Sequence, residues 1–550
     1  MPLCRITQQP FEISEREMEF CKRMNVPLPT VSPNERFRQL MAFRNEWKLY
    51  RRKCDATKED IISAYSPDSP FVVYKNSVWW GDTWDAMEHG RDFDFTRPFF
   101  EQFAELQKVV PREGTTIFNC ENCDYNSHWR NSKNCYLNSL GHLCEDVYYS
   151  YWMVQDKDVF DSMYTGESTL CYSCSDTNRC YNCVMLFESN DCRDCFFSYQ
   201  LQGCDNCLFS TNLVHKTYHI FNEPVSKEEF EAYKAKIFDG SWKTWQQAYQ
   251  DFLKIRESAI SPSVYMMKCE NSTGNHVYNS KNCSNCFDTF DAEDCENSIS
   301  AANSKDVHSS YSAGWTQCEL TYYSLVSRSA TNIAFCNYTW SSSDLRYCDS
   351  TVNSHDLFGC IGMRQKRFCI LNKQYTEEEY RVLVPKIIEH MKKTGEWGEF
   401  FPMALSPYAY NETAAHEFFT LSPEEALERG FRWKEESTAS ASHAPRATMK
   451  VLPDSLSQVS DDICKEILGC KNCGKSYRVI PQELKFYRLM NLPLPRNCSM
   501  CRHQERIHLR NPLRLWQRIC EKCGTMMESS FSPERPVKVY CQECYRKEVY

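Results

Sequence analysis

Apolar positions in the middle of the chain follow neither the helical period nor simple alternation; they return every twelve residues. Cys123, Cys135, Val147, Val159, Cys171, Cys183, Cys195 and Cys207 mark eight consecutive nodes. Before them stand Asn122, Asn134, Asp146, Asp158, Leu170, Asn182, Asp194 and Asn206, and the residue after is mostly bulky, as in Tyr136, Tyr148, Phe160 and Phe196. Three places past the node the chain is usually small and polar: Asn126, Asn138, Ser150, Ser162, Ser198, Ser210. A short fixed period that sets like residues above like predicts a β-solenoid, each coil with an Asx turn residue, a small inward residue and a bulky outward one. At one strand spacing per coil, eight coils would extend ~38 Å. A 24-residue coil of two half-units is the alternative; the lack of odd-even alternation favours twelve. The Asn/Asp row is expected to form a hydrogen-bonded ladder at the corner.

The chain is also written twice at larger scale. With a constant offset of 466, Phe20 meets Phe486, Pro27 and Pro29 meet Pro493 and Pro495, Arg44-Asn45 meet Arg510-Asn511, and Tyr74 meets Tyr540. In the middle, SKNC at 132–135 recurs at 280–283, and FNEPVSKEEFEAYK recurs as LNKQYTEEEYRVL, at offsets of 148 to 150. The order is therefore A, B, B, A. Each B copy ends in a helix signal, Ser226 with Glu229 and Thr376 with Glu379, which fit capping boxes. The expected organisation is a zinc-ribbon-like module without metal (1–80), a Trp-rich connector (81–113), solenoid block 1 (114–222), a helical insert (223–262), solenoid block 2 (263–372), a helical cap (373–400), a connector (401–465) with a flexible tether at 435–460, and a double zinc-ribbon or treble-clef module (466–550). The fold class is mainly β, with small α+β modules flanking the two solenoid blocks.

Composition narrows the reading. A chain of 550 residues, 42% apolar and 14% aromatic, has material for several buried cores. Its mean hydropathy of -0.59 and the absence of an apolar run near ~18 residues argue against a membrane span. The start, MPLCRITQQPFEIS, lacks the layout of a signal peptide, so a cytoplasmic location is expected. In that setting 33 cysteines do not suggest a disulfide framework. Consecutive CxxC pairs at 171/174, 180/183, 192/195 and 204/207 raise a metal-thiolate stack or a redox reservoir. Against this, the node residue exchanges with Val147, Val159, Ile333, Leu345 and Leu357, and valine cannot replace a ligand; core packing is the favoured reading. Cys269, Cys318 and Cys369 fall off the lattice.

The terminal module is different. Cys470/Cys473, Cys498/Cys501, Cys520/Cys523 and Cys541/Cys544 form four knuckles. Eight thiols match two closed Cys4 zinc sites with no open position, hence structural metals. Pairing first with second and third with fourth is favoured over an interleaved cross-brace. The pattern CxxCGxxY…E…FY…PLP…CxxCR resembles small zinc-ribbon (treble-clef) domains found in many bacterial proteins, and the stretch from Cys520 resembles a companion ribbon. The whole A, B, B, A chain is similar to cysteine-rich zinc-ribbon proteins of small-genome candidate bacterial phyla. That resemblance implies zinc and a cytoplasmic setting and names no reaction. The first A copy holds Cys4, Thr7, Ser32, Glu35, Cys54, Thr57, Lys75 and Val78 at the eight ligand positions, so it is read as a relic that kept its packing without metal.

Charge bears on partners. Residues 470–550 carry 16 Lys and Arg against 7 Asp and Glu, while the whole chain is -9. Arg502, Arg506 and Arg510 recur at four-residue spacing where a helix is expected, a stripe that could grip phosphates; docking on the acidic remainder is the favoured alternative. In the segment from Trp79 to His89, Asp82, Asp85 and His89 have the spacing of a metal or proton-transfer site. The favoured reading is that the tryptophans seal the first coil and the acids cap a helix. No nucleotide-binding loop and no HExxH or GxSxG signature occurs. The expected function is thus a non-enzymatic zinc-binding solenoid scaffold that binds an unknown macromolecule, with no catalytic residue and no membrane partner. The rivals are a nucleic-acid- or ribosome-associated zinc protein and a thiol or metal storage protein.

Overall fold

The computed structural model describes residues 1–435 and 452–550. The protein is mainly β, with predominantly parallel strand pairing, and helices precede, separate and follow the runs of strands along the chain. It divides into two compact units: residues 1–115, 264–434 and 512–515 in one, and 116–263, 435–511 and 516–550 in the other. The sequence order A, B, B, A therefore folds nested, with the first A module joined to the second B stack and most of the last A module to the first.

In residues 116–263 the twelve-residue lattice becomes a twelve-residue coil. Lys157–Phe160 pairs in parallel with Glu145–Tyr148 on one side and Thr169–Tyr172 on the other, Val159 lying beside Val147 and Cys171. Met163–Gly166 pairs in the same way with Tyr151–Val154 and Ser175–Asn178. Within the coil every third residue is left-handed: Asp146, Tyr149, Trp152, Gln155, then Asp158, Asp161, Tyr164 and Glu167 all have φ between 50° and 59°. This conformation costs a non-glycine residue of order 1 kcal/mol and is least costly for Asn and Asp. It turns the chain a corner, and hydrogen bonds between coils offset it, such as Asp161 N–H to the Tyr148 carbonyl at 3.0 Å and Tyr151 N–H to the Ser162 carbonyl at 3.0 Å.

The residue after each corner points inward. In one coil these are Val147, Ser150, Met153 and Asp156, all at most 1% exposed. An interior of four side chains per coil is narrow and mostly filled by small residues. Where a large one enters, its neighbour yields: a Cβ on Gly141 would lie 2.1 Å from the ring of buried Trp129, one coil away. Inward serines and cysteines make the same bonds. Ser150 Oγ donates to the Tyr148 carbonyl at 2.9 Å, and Cys183 Sγ to the Tyr181 carbonyl at 3.3 Å. The expected corner ladder forms in part, with Asn122 donating to Asn134 at 3.0 Å and Asn332 to Asp344 at 2.6 Å.

The second stack keeps the coil with one irregularity. Ala302 pairs with Gly314, but Ser304 pairs with Cys318, so two extra residues enter there and the offset between stacks grows from 148 to 150. Cys318 and Cys369, read from sequence as off the lattice, are both interior and fully buried. Cys369 lies in register beside Leu357, and the inserted pair moved Cys318 off the sequence count.

Both helix signals form capping boxes, on Lys227–Ile237 and Glu377–Thr394. Of the expected tether at 435–460, residues 436–451 lie outside the described residues. Its last part is held: Asp454 accepts from Ser241 Oγ at 2.6 Å and from Lys243 N–H at 3.1 Å at the start of helix Trp242–Ser258.

Each A module docks on its stack by the same contacts. Phe486 stacks on Phe160 with ring centroids 4.0 Å apart, and Phe20 stacks on His308 at 3.9 Å. Arg502 bonds Glu483 at 3.2 Å and Asp161 at 2.9 Å. Arg36 pairs with Glu17 and donates to Ser309 at 2.5 Å. Offsets of 466 and 148 carry each residue of one set onto the other, Arg36 to Arg502, Glu17 to Glu483, Asp161 to Ser309.

Candidate metal centre

The cysteine knuckles sit in tight turns that local sequence dictates. After Cys470 the chain reverses so that Gly474 N–H reaches the Cys470 carbonyl at 3.0 Å and Cys470 N–H reaches the Lys475 carbonyl at 2.9 Å. Gly474 has φ +71°, a value that suits glycine. The same turn recurs at Cys520, where Gly524 has φ +77°. The other two knuckles begin helices. Cys498 is the N-cap of Ser499–Leu509 and Cys541 that of Gln542–Val549, so their sulfurs lie at helix N-termini, where the backbone dipole favours a thiolate.

Hairpin turn and helix start bring four sulfurs together twice. Cys470, Cys473, Cys498 and Cys501 form one group and Cys520, Cys523, Cys541 and Cys544 the other, with all ligand atoms of a group within 4.8 Å of one another. The Cys473 and Cys498 sulfurs are 3.8 Å apart, and those of Cys523 and Cys541 3.9 Å. Four thiolates around one zinc at about 2.3 Å would stand about 3.8 Å apart, so the donor set and spacing fit that ion. The groups join the first knuckle with the second and the third with the fourth, not an interleaved cross-brace.

Backbone donors aim at the first sulfur of each set. Cys498 N–H lies 3.3 Å from Cys470 Sγ, and Cys541 N–H 3.2 Å from Cys520 Sγ. Burial raises the Cys470 thiol, but the N–H groups of Cys473 and Cys498 outweigh it and bring the pKa down to about 7. Cys523, bonded first by the Thr525 hydroxyl and N–H, falls to about 6.

The first A module keeps these turns without the ligands. Gln8 and Lys58 stand where Gly474 and Gly524 stand, left-handed at φ 57° and 62°. Ser32 N–H points at Cys4 Sγ at 3.4 Å, and Lys75 N–H at Cys54 Sγ at 3.3 Å, the same bonds as in the terminal module. At the remaining positions, Glu35 pairs with Arg38 at 2.8 Å and Arg429 at 3.4 Å, and Lys75 with Glu59 at 2.6 Å. Among the described residues, neither Cys4 nor Cys54 belongs to a metal-sized group, and neither does any thiol inside the stacks.

The arginine stripe does not face solvent. Arg502, Arg506 and Arg510 are 8%, 3% and 8% exposed. Asp161 takes Arg502 and, at 3.5 Å, Arg506; Asp176 takes Arg510 at 3.0 Å, whose guanidinium also lies 3.7 Å from the Tyr164 ring centroid. These contacts are intramolecular: the helix turns that face onto the first stack. Sequence alone does not show Asp161 and Asp176 as the partners, because both are corner residues in a row of many Asx.

In the Trp-rich segment Asp85 caps the short helix Ala86–His89, accepting from Met87 N–H at 2.9 Å, and pairs with Lys366 at 2.6 Å. Trp80 stacks on Trp340 at 5.8 Å, and Arg364 lies 5.6 Å from the Trp79 ring centroid. Within their own unit the tryptophans cover coils of the second stack.

The chain is thus a cysteine-rich, mainly β protein with two tetra-cysteine groups that could hold metal ions, and no described helix is long and apolar enough to cross a membrane. No family model matches the chain, and no curated protein or solved structure matches it either.

Proposed function

We propose that the protein is a non-enzymatic scaffold: two β-solenoid blocks whose long faces bind another macromolecule, carrying a terminal double zinc-ribbon or treble-clef module with two structural zinc ions. The observation that carries the reading is the pair of closed four-thiol groups. Four thiolates complete a tetrahedral zinc shell, which leaves no position for substrate or water, so the metal holds the small hairpins and helices together. The burial of Arg502, Arg506 and Arg510 in ion pairs favours this over a phosphate-gripping module. Interior thiols that already donate to carbonyls, as Cys183 does, support packing over storage.

Metal analysis of the purified full chain tests it. About two zinc per chain is expected; many more would overturn the structural reading in favour of storage. Capture from native lysate with and without nuclease tests the partner: a protein retained after nuclease is expected, and capture that nuclease abolishes would replace the scaffold reading with the nucleic-acid one.

A further inference from the structure

Within the unit formed by residues 116–263 and the terminal module lies a cavity of about 270 Å³. Its walls come from the first stack (Tyr172, Ser173), from helix Trp242–Ser258 (Trp242, Trp245, Tyr249), and from the terminal module (Arg496, Arg506). Two residues of this lining carry a donor that makes no hydrogen bond. Arg506 is 3% exposed and its Nε is buried and unpartnered; the indole N–H of Trp242 is also buried and unpartnered.

The charge at the site points the same way. Asp161 is the carboxylate that Arg506 approaches, at 3.5 Å, and Arg502 already occupies it at 2.9 Å. Burial and the adjacent Arg502 work against the Arg506 charge, and its pKa lies below the usual arginine range. Glu505, the acid on the lining, is raised by burial and accepts from Asn497. Aromatic faces flank these groups, with Tyr172 and Trp245 centroids 5.7 Å apart and the Arg496 guanidinium 5.4 Å from the Trp242 ring.

The duplicated unit supplies an internal control. Offset by 466, Arg496, Asn497, Glu505 and Arg506 become Thr30, Val31, Gln39 and Leu40; offset by 150, Ser173 and Met185 become Tyr323 and Phe335. There the apolar replacements close the space: Leu40 and Phe335 are fully buried, and the Tyr323 ring stacks on Phe400 at 5.2 Å. The fold does not require the hollow; this copy's residues make it.

We propose that this cavity binds a small planar organic anion, its ring held among Trp245, Tyr249 and Tyr172 and its anionic group placed beside Arg506. The inference goes beyond the scaffold reading and does not depend on it. Phosphate and carboxylate share this chemistry, and two pairs of probes separate them: adenosine monophosphate against adenosine, and indole-3-acetate against indole-3-ethanol.

Calorimetric titration of the zinc-loaded full chain is the test. At least one anion is expected to bind at about one per chain, with its neutral counterpart at least about tenfold weaker. Arg506→Leu is expected to weaken the anion about tenfold or more, and Ser173→Tyr, which installs the residue of the other copy, to block binding. Zinc content and melting temperature report whether each variant folds; if Arg506→Leu does not, Ser173→Tyr decides alone. Failure of both anions at millimolar concentration, equal binding of anion and neutral probe, or full binding by folded Ser173→Tyr would each overturn the proposal.

Discussion

The modules at 1–80 and 466–550 make the same turns and dock by the same aromatic and arginine contacts, yet one carries eight cysteines at the ligand positions and the other two. In the terminal module the hairpins at Cys470 and Cys520 are short, two and four residues a strand, and bury little of their own. In the first module the knuckle turns survive with Gln8 and Lys58 in a conformation that suits glycine. Charge pairs such as Glu35 with Arg38 and Arg429 stand where ligands would converge. The difference separates two functions of a knuckle. The turn is set by backbone hydrogen bonds, and Cys4 shows that a single sulfur still organises it: burial pushes its thiol up, but N–H donors led by that of Ser32 bring it down to about 7. What a metal would add is the tie between hairpin and helix.

The largest effect that tests this contrast is metal removal. A chelator is expected to cost the terminal module on the order of 10 kcal/mol per site, read as lost amide protection across 470–550 while 1–80 stays protected. Loss of protection in both modules would break the comparison. Conversely, the triple variant Thr7→Cys, Ser32→Cys, Glu35→Cys should restore the first site on a ready backbone and raise the zinc content by about one per chain. An unchanged metal content would show that the first module's turns have drifted too far.

The docking contacts come next. Phe20→Ala and Phe486→Ala should each destabilise their own unit by about 3–5 kcal/mol in chemical denaturation. A loss from only one of them would mean that the two docks are not equivalent.

A buried acid distinguishes the stacks. Asp156, inside the first stack, is pushed up to about 8 by burial; the second stack has Ser304 at that place. Because the folded pKa exceeds the unfolded one, the folded state holds the proton more tightly, and the stability this provides is lost as pH rises from about 4 toward 8. Asp156→Ser should therefore gain on the wild type by about 2–4 kcal/mol between pH 5 and pH 8, measured by denaturation at each pH. A parallel pH profile for the two proteins would sink the assignment.

The smallest effect is expected at a lattice thiol. Cys195→Val, at a node where Val147 and Val159 already stand, should cost less than about 1.5 kcal/mol and leave the zinc content unchanged. Loss of metal on this substitution would reopen the storage reading.

Much of this was legible in the sequence, and particular residues show why. The twelve-residue coil was visible because stacking in register demands that Val147, Val159 and Cys171 occupy one column. The four knuckles were visible because a CxxC turn is local. The three-residue period of corners was hidden, since Leu, Tyr and Trp fill left-handed positions alongside Asn and Asp, and hydrogen bonds between coils, not local preference, keep them there.

What is local or strictly repeated was therefore written in the chain: the coil length, the capping boxes, the cysteine turns and the A, B, B, A order of the duplicated parts. Tertiary structure alone decided which module meets which stack, that Arg502, Arg506 and Arg510 face inward onto Asp161 and Asp176, and that one copy keeps a hollow where the other is filled. Those outcomes depend on contacts between residues hundreds of positions apart, where the stability of a charge or an empty space is set by what surrounds it and not by its neighbours in the chain.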